Sequence, residues 1–389
     1  MAVDCEHIPI VNYGEFSKRI HQKVVESKIP IGGSIEITSR CNLSCAHCYI
    51  NLPANDSKEK EKELSLKEIC KIFDELEEEG CLWLLLTGGE PLLRKDFLQL
   101  YSYAKRKGFL LTIFTNGTLI TKKLADYLSD WPPFSVEITV YGRTKETYEK
   151  VTGVPGSYEK CVKGIELLIE RKIPLKLKSV IMSLNVSELL DIKKWVEEDL
   201  GLSFRFDPLL NARLDGINKP HYVRIPAQDI VNLDLDDEKR MKEWKEFCEK
   251  FLGQPLKKDK LFLCGAGINS FHIDSYGNLT PCILVRSKTF SLRNGSFKDG
   301  YYKLFPEILS QKPSKDTKCR TCELVAMCGQ CPGWAGLEHG DMETPVEYLC
   351  EIAHLRAKKF KECWGGVTET FKDTKETISL SNNPDEKKS

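Results

Sequence analysis

The chain has 389 residues, with 57 lysines and arginines set against 57 aspartates and glutamates, and it contains sixteen cysteines. Balanced charge excludes a global field that would draw it to nucleic acid or to an anionic membrane, and no apolar run approaches the roughly 20 residues of a membrane helix. Nothing at the N-terminus resembles a secretion signal, so a soluble cytoplasmic protein is expected, in which clustered cysteines read as metal ligands rather than disulfides.

From residue 34 to about 206, short β-rich apolar runs alternate with helix-period segments that carry a charged outer face. Strands are expected at Ser34–Thr38, Leu82–Thr87, Phe109–Thr115, Phe134–Val140, Pro174–Ile181 and Ser203–Phe206. Such units predict an α/β fold, a parallel sheet wrapped by helices. The run from Leu82 to Leu86 is apolar at every position, as in a strand covered on both faces. Between the first two strands, Asn51–Glu63 is polar enough to read as a solvated loop. Ser65 and Glu68 then form a capping-box pattern; Ile69, Ile72, Phe73 and Leu76 recur at helical spacing, and Gly80 supplies the stop. The alternation lapses from Asn211 to Leu263, apart from a helix-like stretch at Asp236–Leu252. Cys264–Cys350 holds seven cysteines among many glycines and prolines, a composition that needs metal to hold it. The sequence turns polar after Cys363 and is expected to end in a disordered tail.

Cys41, Cys45 and Cys48 form a CxxxCxxC motif directly after the first strand. Three thiolates on one loop can bind three irons of a cubane cluster and leave the fourth open to a small molecule. A zinc or closed iron–sulfur site with a distant fourth ligand is the alternative on spacing alone. After the second strand comes Thr87-Gly88-Gly89-Glu90-Pro91. Here the glycines would admit a ligand close to the backbone, and Glu90 would offer a carboxylate to a cation.

The triplet together with this turn resembles the radical S-adenosylmethionine (radical SAM) superfamily, over about Gly33 to Phe206. The resemblance implies a partial (β/α)6 barrel, a [4Fe–4S] cluster on Cys41, Cys45 and Cys48, and Gly88, Gly89 and Glu90 holding the amino group of S-adenosylmethionine. Thr139 on the fourth strand and Asn185 after the fifth would then contact the ribose, although strand-end capping explains both equally. Thr115-Asn116-Gly117, at the end of the third strand, would face the same open end. His47 and Tyr49 would pack beside the adenine or serve as core aromatics. Many relatives with a second cluster region place an arginine where Val151-Thr152-Gly153 stands here.

Cys264, Cys282, the run Cys319-x2-Cys322-x5-Cys328-x2-Cys331, and Cys350 resemble the SPASM extension, a small α+β domain that holds auxiliary [4Fe–4S] clusters in peptide-modifying radical enzymes. The family pattern gives Cys319, Cys322, Cys328 and Cys350 to one cluster and Cys264, Cys282 and Cys331 to the other, so three clusters are implied and one auxiliary site is short of a ligand. Cys248 could complete it but reads as a core residue, as do Cys5, Cys70, Cys81, Cys161 and Cys363. Zinc is a legitimate reading of the two CxxC pairs, though seven ligands suit one zinc site poorly. The expected divisions are an N-terminal extension (1–32), the barrel (33–210), a bridge (211–263), the SPASM domain (264–363) and a polar tail (364–389).

The reaction implied by the resemblance is reductive cleavage of S-adenosylmethionine to a 5′-deoxyadenosyl radical that abstracts a substrate hydrogen. A ribosomally made precursor peptide is the expected substrate, presented with help from a separate peptide-recognition protein, and flavodoxin or ferredoxin is the expected electron donor. The alternatives are a tetrapyrrole or cofactor precursor, sulfatase-type maturation, disfavoured because Ile283 stands where those relatives carry aspartate, and a non-catalytic iron–sulfur protein. No residue stands out as a catalytic acid or base; Arg205, Asp207 and Arg213 lie where a substrate could pass, and solvated loop charge explains them equally.

Overall fold

The computed structural model describes residues 12–50, 52–251, 260–324 and 328–364. The expected polar tail from residue 365, Cys5 and the side chain of Cys363 lie outside the described residues. Six parallel strands appear where the apolar runs predict them: β1 (Gly32–Thr38), β2 (Trp83–Gly88), β3 (Leu110–Thr115), β4 (Ser135–Thr139), β5 (Leu175–Val180) and β6 (Phe204–Asp207). At least one helix separates each from the next, so the sheet grows by βαβ steps. The capping box forms as expected: Ser65 N–H donates to Glu68 at 2.7 Å, and Glu68 N–H to Ser65 Oγ at 3.3 Å.

One sheet face carries Ile35, Ile37, Leu84, Leu86, Leu111, Ile113, Val136, Ile138 and Leu177, all buried. The helix Leu66–Glu78 contributes Ile69, Ile72, Phe73 and Leu76 to this same core. Strand register places Glu36 beside Thr87, Phe114 beside Glu137, Thr139 beside Lys178, and Lys178 beside Arg205 on the opposite face. Most of that inner face is polar, and the expectation that β2 is covered on both faces holds only in part: Leu84 and Leu86 are sealed, whereas Trp83 and Leu85 keep partial exposure.

The region beginning at Cys264 extends this sheet. Strand β7 (Ser270–Ile273) pairs parallel with β1, and β8 (Asn278–Thr280) and β9 (Phe290–Ser291) follow antiparallel, giving the order β9-β8-β7-β1-β2-β3-β4-β5-β6. Contacts divide the chain into two units along lines other than the sequence boundaries. The first joins the residues up to Pro226 with Leu256–Thr321 and Gln330–Glu347; the second joins Ala227–Pro255, Cys322–Gly329 and the chain from Tyr348. Within the second unit, the expected helix runs Glu238–Phe251 and a further one covers Ala227–Asp236. Buried Asp234 there accepts from Arg240 and Arg356, each at 2.6 Å, and the Arg356 guanidinium stacks 3.8 Å from the Trp244 ring centroid.

Within the stretch expected as a solvated loop, residues 52–63 contain regular structure. Leu52–Pro53 bridges Arg40–Cys41, Ser57–Lys62 is helical, and Glu63 is buried. Polarity alone misreads Glu63, because its carboxylate neutralises the buried Arg40.

Candidate functional site

The cysteine loop starts where β1 ends and is fastened on three sides. Ser44 and Ala46 N–H donate to the Thr152 and Val151 carbonyls, each at 2.9 Å, so the segment that departs from the expected arginine is the one the loop docks on. Glu63 accepts from Arg40 Nε at 3.1 Å, Arg40 Nη2 at 3.0 Å, Ser39 N–H at 3.2 Å and the Thr38 hydroxyl at 2.5 Å. On the third side, Gly89 N–H donates to Thr38 O at 2.8 Å and Glu90 N–H to Arg40 O at 2.9 Å. This last contact explains the glycine pair: a Cβ would stand 2.1 Å from Thr38 O at Gly88 and 2.2 Å from Arg40 O at Gly89. The glycines admit the cysteine loop's own backbone.

Glu90 is fully buried and accepts from the Thr115 hydroxyl at 2.8 Å, Asn116 N–H at 2.7 Å and Leu92 N–H at 3.0 Å. Burial pushes its carboxyl up to about 7 in spite of these bonds. Its side chain therefore ties the ends of β2 and β3 together, and the turn's backbone is what remains for a ligand.

Cys41, Cys45 and Cys48 lie within electrostatic reach of one another, and burial pushes the Cys41 thiol up to about 12 and raises Cys45 as well. Leu43 N–H donates to Cys41 Sγ at 3.4 Å, Asn116 Nδ2 approaches it at 3.7 Å, and the Tyr141 hydroxyl donates to Cys45. Among the described residues, no three histidine, cysteine, aspartate or glutamate side chains converge as the ligands of one ion would. Thiols gathered on one loop with hydrogen-bond donors aimed at their sulfurs suit the corners of an iron–sulfur cubane.

Tyr141 was not apparent from spacing, although an aromatic directly after the fourth strand was the available signal. Its hydroxyl also accepts from Thr139, and its ring lies 5.1 Å from that of His47, whose imidazole burial keeps neutral with a pKa lowered to about 4. Asn185, expected near a ribose, is fully buried; its amide donates to Tyr141 O at 3.1 Å and Val180 O at 3.0 Å and accepts from Met182 N–H at 2.8 Å. Tyr49 points its hydroxyl at Glu36 Oε1, 3.5 Å away, and its carbonyl accepts from Leu214 N–H at 3.0 Å.

Two charged groups occupy the inner face. Buried Glu36 faces Tyr49 and His272, and burial pushes its carboxyl up to about 7. His272 Nε2 stands 3.7 Å from Glu36, within ion-pair range, yet burial lowers its pKa to about 3, so the contact is one with a neutral imidazole. On the far strands, Glu137 Oε2 accepts from Arg205 Nη2 at 2.5 Å and stands 3.3 Å from Lys178 Nζ. Charged residues inside strands were the sequence signal for this second group.

Cys264, Cys282 and Cys331 also influence one another within the first unit, and burial raises the Cys282 and Cys331 thiols. Cys322, Cys328 and Cys350 belong to the second unit, whereas Cys319 is grouped with the first. Cys248 is buried in the second unit's apolar group, with Cys322 and Cys328 packed against it. Cys81 and Cys161 are buried and Cys70 is half-buried.

Residues 35–196 match the Radical SAM superfamily model. The chain is 32% identical over 319 residues to the mycofactocin maturase MftC of Mycobacterium tuberculosis, covering 77% of each protein. It is 27% identical over 315 residues to the antilisterial bacteriocin subtilosin biosynthesis protein AlbA of Bacillus subtilis, covering 79% of this chain and 68% of AlbA. To the AdoMet-dependent heme synthase of Methanosarcina barkeri it is 24% identical over 330 residues, covering 79% and 92%. The crystal structure of Streptococcus suis SuiB bound to precursor peptide SuiA shares the fold, with TM-score 0.58 and 18% identity across 84% of this chain and 78% of that one. With its three-thiol loop, glycine turn and βα-wound sheet, the chain belongs to the radical SAM superfamily, enzymes that bind a [4Fe–4S] cluster and S-adenosylmethionine.

Proposed function

We propose that this enzyme matures a ribosomally made precursor peptide, oxidising or crosslinking it. The observation that carries this reading is the second thiol group, Cys264, Cys282 and Cys331, gathered in the same unit as the catalytic loop. Similarity to AlbA and MftC points the same way. When bound, the cluster and S-adenosylmethionine supply hydrogen abstraction. The protein's own residues hold the loop through Glu63 and the Val151–Thr152 carbonyls and donate to its sulfurs.

Cys41, Cys45 and Cys48 would ligate the catalytic cluster, and the backbone of Gly88, Gly89 and Glu90 would hold the amino group of S-adenosylmethionine. Thr139 would reach the ribose, while Asn185 would act by bracing the ends of β4 and β5, its amide being engaged there. Tyr49 would border the cofactor with His47. Cys264, Cys282 and Cys331 would hold one auxiliary cluster, and Cys319, Cys322, Cys328 and Cys350 the other. A flavodoxin or ferredoxin would deliver electrons, a separate protein would present the peptide, and a reducing cytoplasm would suit these thiols. Among the described residues, no helix is long and apolar enough to cross a membrane.

The test is anaerobic reconstitution with a deuterium-labelled peptide encoded beside the enzyme. Deuterium in 5′-deoxyadenosine is expected, and its absence for every such peptide overturns the reading. Iron near twelve per chain is expected, falling to about eight when Cys264, Cys282 and Cys331 are replaced by alanine. Similarity to the heme synthase across 92% of its length favours a second reading, a tetrapyrrole substrate, which turnover of a porphyrin carboxylate would support.

A further inference from the structure

We propose that Lys178 and Arg205, side by side on the inner face of β5 and β6, bind a carboxylate of the substrate. This rests on the reading that S-adenosylmethionine and a separate substrate share that face.

Strand register sets Thr139, Lys178 and Arg205 in one row across β4, β5 and β6. Both cations converge on one oxygen, Glu137 Oε2, so the three side chains carry a net positive charge. Lys178 keeps only 18% of its side chain exposed, and its ammonium lies 2.9 Å from the Phe114 ring centroid. The ring face offers partial negative charge but no counter-ion. Burial and Arg205 together outweigh Glu137 and lower the lysine to about 8. Thus the fold holds a cation that it does not fully stabilise, a condition that a second carboxylate would relieve by bridging the ammonium and the guanidinium edge left by Glu137.

The carboxylate of S-adenosylmethionine itself is in the wrong place. It shares a carbon with the amino group assigned to the turn after β2, and β3 and β4 separate β2 from β5. Three interstrand steps of about 4.8 Å put Lys178 roughly 14 Å along the sheet from that turn. A substrate reaching into the inner face from the far strands would meet Lys178 and Arg205 first.

The test measures binding to reconstituted enzyme loaded with S-adenosylmethionine. The probes are the peptide encoded beside the enzyme, as free acid and with its carboxylates converted to amides, and a porphyrin as propionate and as methyl ester. Lys178→Met and Arg205→Gln should each weaken binding of the free acid by about tenfold or more, the size of one charge-assisted hydrogen bond. Affinity for the neutralised probe and for S-adenosylmethionine should be unchanged. Arg205 is 64% exposed, so Arg205→Gln is expected to fold normally even if Lys178→Met does not. If only the porphyrin shows this dependence, the carboxylate site stands and the peptide reading falls. The inference is overturned if wild-type enzyme does not distinguish acid from neutralised probes, if both variants bind the acid as tightly as wild type, or if the variants lose S-adenosylmethionine in parallel.

Discussion

Replacing Gly89 with alanine is expected to unseat the cysteine loop. The new Cβ would stand 2.2 Å from the Arg40 carbonyl oxygen, 2.5 Å from its carbon and 2.8 Å from Ser39 O. All three are backbone atoms, so no rotamer change relieves the clash, and the turn must retreat by roughly 1 Å to restore ordinary contact. That movement stretches the Gly89-to-Thr38 and Glu90-to-Arg40 hydrogen bonds, now 2.8 and 2.9 Å, beyond useful range. Two bonds at about 1 kcal/mol each, added to about 1–3 kcal/mol for overpacking, give a local cost of about 3–5 kcal/mol. Because Arg40 precedes Cys41, the displacement falls on a cluster ligand. Gly108→Ala is the control: its φ is +86° but its Cβ would meet open space, so it should lose about 1 kcal/mol of stability and leave the site intact. Iron content and 5′-deoxyadenosine release after anaerobic reconstitution separate the two. Wild-type iron and wild-type cleavage in Gly89→Ala would refute the reasoning.

Three further outcomes follow from the same surroundings. Glu63→Gln should destabilise the protein by about 3–5 kcal/mol, because Arg40, 9% exposed, loses its buried partner; the Arg40→Met, Glu63→Met double variant should recover part of this in urea unfolding, and equal midpoints for single and double variants would contradict it. Glu36 is raised from 4.5 to about 7, so its neutral form contributes stability that is complete below pH 4.5 and lost as pH rises to about 7; Glu36→Gln should remove this loss from the Tm-against-pH curve and leave the opposite slope of His272, whose lowered pKa costs stability as pH falls below 6.5 because only the unfolded imidazole takes up a proton. Tyr141→Phe removes a donor to Cys45, so an EPR-monitored titration should show a more negative catalytic-cluster potential, and an unchanged one would dismiss the hydrogen bond as a tuning contact.

What could be read in advance was whatever is written locally. An apolar β-rich run marks a strand, Ser65 and Glu68 mark a helix start, and thiols three or four residues apart mark a cluster loop, because each signal is complete within a few residues. The glycine turn was visible in the same way but its cause was not. Gly88 and Gly89 suggested room for a ligand, whereas the atoms that exclude a Cβ belong to Thr38 and Arg40, about 50 residues earlier in the chain.

The long-range pairs define the site's chemistry, and no spacing rule encodes them. Glu63 reads as one more charge in a polar stretch until the fold closes it over Arg40. Arg205 and Glu137 are 68 residues apart and become partners only because β4, β5 and β6 align in register. Strands do carry one clue: a charged residue on a face that should be buried must find a partner or a ligand. Glu36, Glu137 and Lys178 are such residues, and all three lie on the inner face. Among them, Glu36 is held toward its neutral form, and Lys178 keeps an incompletely balanced charge beside Glu137 and Arg205. The thiol loop identifies the chemistry, while the charge pattern across the inner face from β1 to β6 is where this enzyme's selectivity for its substrate is expected to reside.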